Sequence, residues 1–265
     1  RDRSPSRGLG DVYKRQVTAD NGMAFPRAKA NCYEFGIHVP LAISWPAMVK
    51  GGQKSDALVS FVDLAPTFLK AASLTSHDQM TGISLVDHLQ GGEISRTAVY
   101  SSRERHSSSR HMNLTYPQRV MRSGDFLLIR NFKPDRWPAG DPVKLATDGS
   151  LGPPHGGYHD IDACPSLTFL ITNRDNRKWG PYLRWSVAKR DEWQLFNIAD
   201  DPECMHELIK SPRVKETREH MMAKMNQFLA DTGDPRMNGN GDVWESYIRY
   251  SRIRKFPSPP TEIPE

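Results

Sequence analysis

Val17-Thr18-Ala19-Asp20-Asn21-Gly22, followed by Phe25-Pro26-Arg27-Ala28-Lys29 and then Gly36-Ile37-His38-Val39-Pro40-Leu41, is the stretch on which the reading of this chain turns. A short β-branched segment runs into Asp20 and Asn21 at a glycine, which sets a charged and a neutral oxygen side by side at a strand end. Such a pair suits a hard cation, and Lys29 a few residues on suits an anion. Asp-Asn-Gly also makes an Asx-turn, in which the carboxylate only rounds a corner. Taken alone the tripeptide reads as that turn; the motifs around it favour the cation.

Upstream, residues 1–16 (RDRSPSRGLGDVYKRQ) do not begin with Met and hold no apolar run. They read as a translated adaptor, with a disordered basic arm as the alternative, so they are set aside from the fold. They carry Arg1, Arg3, Arg7, Lys14 and Arg15 against Asp2 and Asp11, so three of the formal +5 charges belong to them and two to everything else. The basic balance is therefore little support for a nucleic-acid partner, and none is expected. No segment has the apolar length of a signal sequence or a membrane span, so no membrane partner is expected either. Cys32, Cys164 and Cys204 are odd in number, far apart and not in metal-ligand spacing, so at most one disulfide could form, none is implied, and each is expected reduced and buried.

Further along, Val39 to Trp45 reads as a covered parallel strand ended by Pro46. Ser55 to Leu74 reads as a helix, with Val62, Leu64, Ala65, Phe68, Leu69 and Ala72 at helical spacing, Asp63 as N-cap and Pro66 in the first turn. Thr97 to Ser101 fits a further strand, completing an α/β rhythm. Gln118 to Phe132 reads as a hairpin turning at Ser123-Gly124-Asp125, and Asp135 to Tyr158 as a long Pro- and Gly-rich loop. Glu192 to Ile198 fits a strand. Ser211-Pro212 opens a helix to about Ala230 whose methionines read as core. Expected organisation is thus an α/β part over 17–100, a small antiparallel α+β subdomain over 101–235, and an extended tail over 236–265.

In this order the motifs resemble sulfatases of the alkaline phosphatase superfamily: Asp20-Asn21-Gly22 with Lys29, Gly36-Ile37-His38-Val39-Pro40-Leu41, Ser44-Trp45-Pro46 and Val62-Asp63-Leu64-Ala65-Pro66-Thr67. Phe25-Pro26 with Asn31 and Tyr33, Arg103-Glu104-Arg105-His106, Tyr116-Pro117 and the run Asn131 to Pro138 resemble the sulfamidase branch, the N-sulfoglucosamine sulfohydrolases and their bacterial relatives. The resemblance covers about residues 17 to 235. It implies an α/β fold, the C-terminal part of an alkaline-phosphatase-like sulfatase sheet plus a small antiparallel α+β subdomain. It implies hydrolysis of sulfate from a sulfated saccharide, with N-sulfoglucosamine of heparan-type glycans as substrate.

The resemblance assigns Asp20 and Asn21 to a Ca²⁺ site whose other carboxylates lie near the family's N-terminus. Hard oxygen donors agree with that, whereas the superfamily's two-zinc phosphatases show Asp-His here. Lys29 falls on a basic position that faces the sulfate group, with a catalytic and substrate-binding role, and Glu104 and His106 fall in the region that lines the substrate pocket. Lys133, Arg136 and Trp137 offer a basic and aromatic rim. Family members act through a formylglycine made in a Cys/Ser-x-Pro-x-Arg motif, a form of covalent catalysis. That motif does not occur in these 265 residues. The expectation is a C-terminal fragment, inactive by itself and weak in calcium binding, exported if bacterial. An O-sulfatase or phosphoesterase of the same superfamily, or a non-catalytic module binding sulfated polysaccharide, are the alternatives.

Overall fold

The computed structural model describes residues 14–107, 109–110, 114–143 and 157–247. The chain divides into two compact units, one of residues 1–20 and 39–100 and one of residues 21–38 and 101–265. Residues 248–265 of the tail expected over 236–265 and most of the loop expected over 135–158 lie outside the described residues.

In the first unit, β1 (Arg15–Thr18) pairs antiparallel with β2 (Leu41–Ser44), Val17 opposite Ala42. Arg15 and Gln16, set aside with the leading stretch on sequence grounds, are thus paired residues of β1. The strand read as parallel and covered is antiparallel, and only alternate residues of it are partly shielded. A 3-10 turn, Phe61–Asp63, leads into α2 (Leu64–Ala71), and α3 (Val86–Leu89) packs beside it. The helix is shorter than its apolar spacing predicts, and the face that is buried differs. Phe61, Val62 and Phe68 are exposed, while Asp63, Pro66 and Thr67 are buried.

The reason is Asp63. Its carboxylate accepts the Ser60 and Ile83 amides at 2.8 and 2.9 Å and both terminal nitrogens of Arg96 at 3.0 and 2.5 Å. Burial opposes the charge, but Arg96 and the two amides hold the carboxyl below the ordinary aspartate range. The Thr67 hydroxyl donates to the Asp63 carbonyl at 2.6 Å and accepts the Leu85 amide at 2.8 Å. A polar knot, not an apolar stripe, fixes this helix.

The second unit contains α1 (Glu34–Ile37) and the strands β4 (Gln118–Ser123), β5 (Phe126–Asn131) and β6 (Trp193–Asn197) of a four-stranded sheet in the order β3-β4-β5-β6, whose β3 (Ala98–Arg103) has only its last three residues in this unit. The hairpin forms as its sequence predicts, Ser123 opposite Phe126 across Gly124-Asp125. Registers set Val120 opposite Ile129 and Leu127 opposite Phe196 on one face, with Met121, Leu128 and Leu195 aligned on the other. The first face packs on Cys32, Tyr33, Ile198 and Cys204. Against β5 lies α6 (Lys215–Asp231), which buries Met221, Met225 and Leu229 at helical spacing. Between β5 and β6 the chain forms α4 (Pro165–Thr172) and α5 (Gly180–Val187), whose Leu167, Ile171, Leu183 and Val187 share a second core with Ala139 and Ile161. Residues 236–247, read as the start of an extended tail, include α7 (Val243–Ser246) and several ion pairs. No helix among the described residues is long and apolar enough to cross a membrane.

All three cysteines are free thiols. Burial pushes Cys32 and Cys204 up to about 11, against the lowering influence of nearby arginines.

Leu127 lies on the central strand between β4 and β6 and is fully buried. Leu127→Ala is expected to cost about 3 kcal/mol in urea denaturation; a loss below roughly 1 kcal/mol would mean that this face is not the core.

Candidate active site

The segment 21–38 is built around two close backbone approaches. A Cβ on Gly22 would meet the Phe35 carbonyl oxygen at 2.1 Å, and one on Gly36 would meet the Asn31 carbonyl oxygen at 2.2 Å. Only glycine lets the Asp-Asn-Gly corner lie on the backbone of α1, which explains why both glycines belong to the motif. Between them, Arg27 and Ala30 adopt left-handed backbone angles, φ 68° and 60°. Each costs a non-glycine residue about 1 kcal/mol or more, so the surroundings must hold the turn. They do: the Lys29 amide donates to the Met23 carbonyl at 2.9 Å, and the Arg27 guanidinium donates to the carbonyls of Trp185 (2.8 Å) and Cys204 while lying 3.9 Å over the Tyr33 ring.

Lys29 projects from this strained, tied-down turn. Its ammonium lies 2.9 Å from Asp162, with 28% of the lysine side chain and 45% of the aspartate side chain exposed. A pair that open to water contributes little to stability, so the ammonium is available to another anion.

His106 arrives from a different part of the unit. Its Nδ1 is 3.3 Å from Oδ1 of Asp160, two residues before Lys29's partner. The structure therefore gathers Lys29 and His106 on the short segment Asp160–Asp162. Donation from Nδ1 leaves Nε2 as the acceptor of the neutral ring. Asp160 also receives Arg103, Arg110 at 2.6 Å and the Ser107 hydroxyl at 2.9 Å. Its burial disfavours the charge, but His106, Arg103 and Arg110 outweigh that and hold the carboxyl far below its usual range. Arg103 is lowered to about 10, burial outweighing Asp160 because one carboxylate serves two guanidiniums.

Arg103, Arg110 and Arg190 all lie within 6 Å of the buried Tyr116 ring. Arg190 donates to Asn31 at 2.9 Å and stacks 4.7 Å over Tyr33. It has no carboxylate partner among the described residues. A buried amide ladder, Gln118 to Asn131 at 2.8 Å and Asn131 to Gln194 at 3.2 Å, continues to the Tyr33 hydroxyl and seats the 21–38 segment on the sheet.

Glu104 goes elsewhere. Its oxygens accept Arg119 at 2.8 Å and Arg236 at 2.6 Å, in a network that also joins Arg119 to Asp234 and Arg236 to Asp242. Burial works against the Arg236 charge, yet Glu104 and Asp242 raise its pKa. The expected rim residues are engaged as well: Lys133 pairs with Asp242, Arg136 with Glu245, and the Trp137 carbonyl accepts Arg110.

Asp20 and Asn21 are exposed, Asp20 in the first unit and Asn21 in the second. Among the described residues no group of three or more His, Cys, Asp or Glu is placed to hold a metal ion. The two hard oxygens fit calcium by donor type but are too few to hold it alone. Asp160, Arg110 and Arg190 were not singled out by sequence reading: Arg103 and Asp160 are 57 residues apart, and no local pattern announces their pairing.

Asp160→Asn would leave two buried guanidiniums without a counter-charge, and about 3 kcal/mol of stability at neutral pH is expected to be lost. Because the folded-state pKa is depressed, this contribution is present above about pH 4 and fades as pH falls toward the folded value. Denaturation across pH 2–7 should therefore show the variant's deficit shrinking in acid; a constant deficit would contradict the ion-pair origin.

The chain is similar to known proteins in three respects. Residues 27–141 match the family model for N-sulphoglucosamine sulphohydrolase, C-terminal. The chain is 28% identical over 233 residues to human N-sulphoglucosamine sulphohydrolase, covering 82% of this chain and 41% of that one. It is 24% identical over 219 residues to an ulvan-active sulfatase of Formosa agariphila, covering 82% of this chain and 37% of the other. A solved structure described as a 2-O GAG sulfatase shares the fold at TM-score 0.55 and 15% identity, over 85% of this chain and 38% of that one. The chain thus spans about two fifths of the curated relatives it matches. Motif order, the family model matched over residues 27–141 and the shared fold agree: the chain is similar to the C-terminal region of sulfatases.

Proposed function

We propose that this chain forms the anion-holding side of a sulfatase centre that hydrolyses sulfate from a saccharide, with N-sulfoglucosamine of heparan-type glycans as the substrate. The observation that carries this is the convergence of Lys29, on its strained turn, and His106 on the Asp160–Asp162 segment. Lys29 would place a compact positive charge against the sulfate oxygens as the S–N bond breaks, exchanging Asp162 for the substrate. His106, oriented by Asp160, would meet the sugar. Glu104 would act through Arg119 and Arg236, which occupy its oxygens.

Asp20 and Asn21 would supply two of the roughly six to eight oxygens that Ca²⁺ takes. A calcium ion bound there would stabilise negative charge on the sulfate. The formylglycine nucleophile of the family would come from a Cys/Ser-x-Pro-x-Arg segment outside these 265 residues. The N-sulfoglucosamine assignment draws on the matched family model and on the human relative; the relative described as an ulvan-active sulfatase keeps a different sulfated saccharide as the alternative.

The chain by itself is expected to release no sulfate from N-sulfated glucosamine and to show no tight, stoichiometric calcium binding in calorimetry; turnover or tight binding would overturn the assignment. In the polypeptide read from the complete gene, Lys29→Ala should lower kcat/KM by about 10²–10³, with Lys29→Arg retaining more. N-sulfated, O-sulfated and phosphorylated sugars assayed side by side identify the substrate class, and parental kinetics in Lys29→Ala would exclude the role given to Lys29.

A further inference from the structure

A cleft of about 660 Å³ opens beside α4 and α5, with Phe169, Trp179, Tyr182 and Trp185 in its wall and Arg27 and Pro165 at its edge. These aromatic side chains are surplus to the core. Helix α4 packs through Leu167 and Ile171 and helix α5 through Leu183 and Val187, while Phe169, Tyr182 and Trp185 are 45%, 46% and 43% exposed. The rings nevertheless form a continuous belt: Phe169 to Trp179 at 5.3 Å, Trp179 to Tyr182 at 6.0 Å, Tyr182 to Trp185 at 5.3 Å between centroids. Ordered aromatic rings left facing water in a concave surface mark a binding site more than a packing need.

The segment that carries these rings gives the chemistry of the occupant. Residues 174–190 hold Arg174, Arg177, Lys178, Arg184, Lys189 and Arg190 against a single acid, Asp175. All of these cations except Arg190 are exposed, and the Lys178 ammonium lies 4.4 Å over the Trp179 ring. A protein interface of this size is ordinarily depleted of charge at its centre and in lysine generally. Aromatic faces with Lys178 stacked on one ring, Arg27 at the edge and further exposed cations in the same segment instead complement a ligand that alternates flat C–H faces with anionic groups, the surface of a sulfated polysaccharide.

We propose that this cleft is a docking surface for the chain of a sulfated polysaccharide, separate from the Lys29–His106 centre. Pyranose faces would lie on Tyr182, Trp185 and Trp179, and sulfates would meet Arg177, Lys178 and Arg184. The proposal rests on the reading of the substrate as a sulfated saccharide, and extends it from the group that is cleaved to the polymer that carries it.

The test is calorimetric binding of this chain to a heparin-derived hexasaccharide and to its desulfated counterpart. The parent should bind the sulfated form and not the desulfated one, with affinity falling as salt rises. The double variants Tyr182→Ala/Trp185→Ala and Arg177→Glu/Lys178→Glu should each weaken binding by about tenfold or more, and Lys29→Ala should retain most of it. All four positions are exposed, and unchanged thermal unfolding confirms intact folding. Absence of binding, equal binding of the desulfated sugar, or parental affinity in both double variants overturns the proposal. Loss in Lys29→Ala alone also overturns it while leaving the active-centre reading intact. If sedimentation instead finds self-association that Tyr182→Ala/Trp185→Ala abolishes, the cleft is an interface between copies and the proposal fails. The active-centre reading is judged separately, by sulfate release.

Discussion

One buried carboxylate organises the second unit. Asp160 receives Arg103 from the end of β3, Arg110 and Ser107 from the following loop, and His106 between them. Arg103 and Arg110 also donate to the Pro138 carbonyl, so the 103–110 and 137–141 segments are fixed against each other through the same charge. Taking guanidinium groups out of water is costly, and attraction to a single aspartate only partly offsets it. The return is in geometry, because a buried ion cluster tolerates few alternative arrangements. His106 inherits its orientation from that cluster, and Lys29 meets the same segment at Asp162.

Backbone strain and buried polarity work together on the other side of the site. The left-handed residues at 27 and 30 persist because Arg27 is tied to two carbonyls and a tyrosine face, and because Asn31 and Tyr33 are anchored to Arg190 and the amide ladder of the sheet. Interactions drawn from residues more than 150 positions away thus hold the turn that presents Lys29. A flexible loop would carry the same ammonium, but not in a fixed place.

The sequence pattern was informative where structure is local. The β4–β5 hairpin, β6 and α6 follow from alternation, a turn dipeptide and a helical period, and they occupy the predicted ranges within a few residues. The pattern misled where a polar group took over: spacing in Ser55 to Leu74 predicts an apolar buried face, yet Asp63 with Arg96 and Thr67 occupies it. At the site, the structure brings Lys29 and His106 to one segment, whereas the aspartates that gather them lie beyond the span of any local pattern. The segment between Tyr158 and Glu192 gives no sequence expectation of helix or strand, and only the formation of α4 and α5 shows that its rings form a single surface.

The cysteines gain a practical meaning from the same packing. Cys32 and Cys204 are held as neutral thiols in the core, poorly nucleophilic and shielded from reagents. Cys164 is only half-buried and immediately precedes Pro165 at the mouth of the aromatic cleft. Folding has therefore left one thiol of three open to selective alkylation, and an environment-sensitive dye attached there would sit where arriving ligand changes its emission.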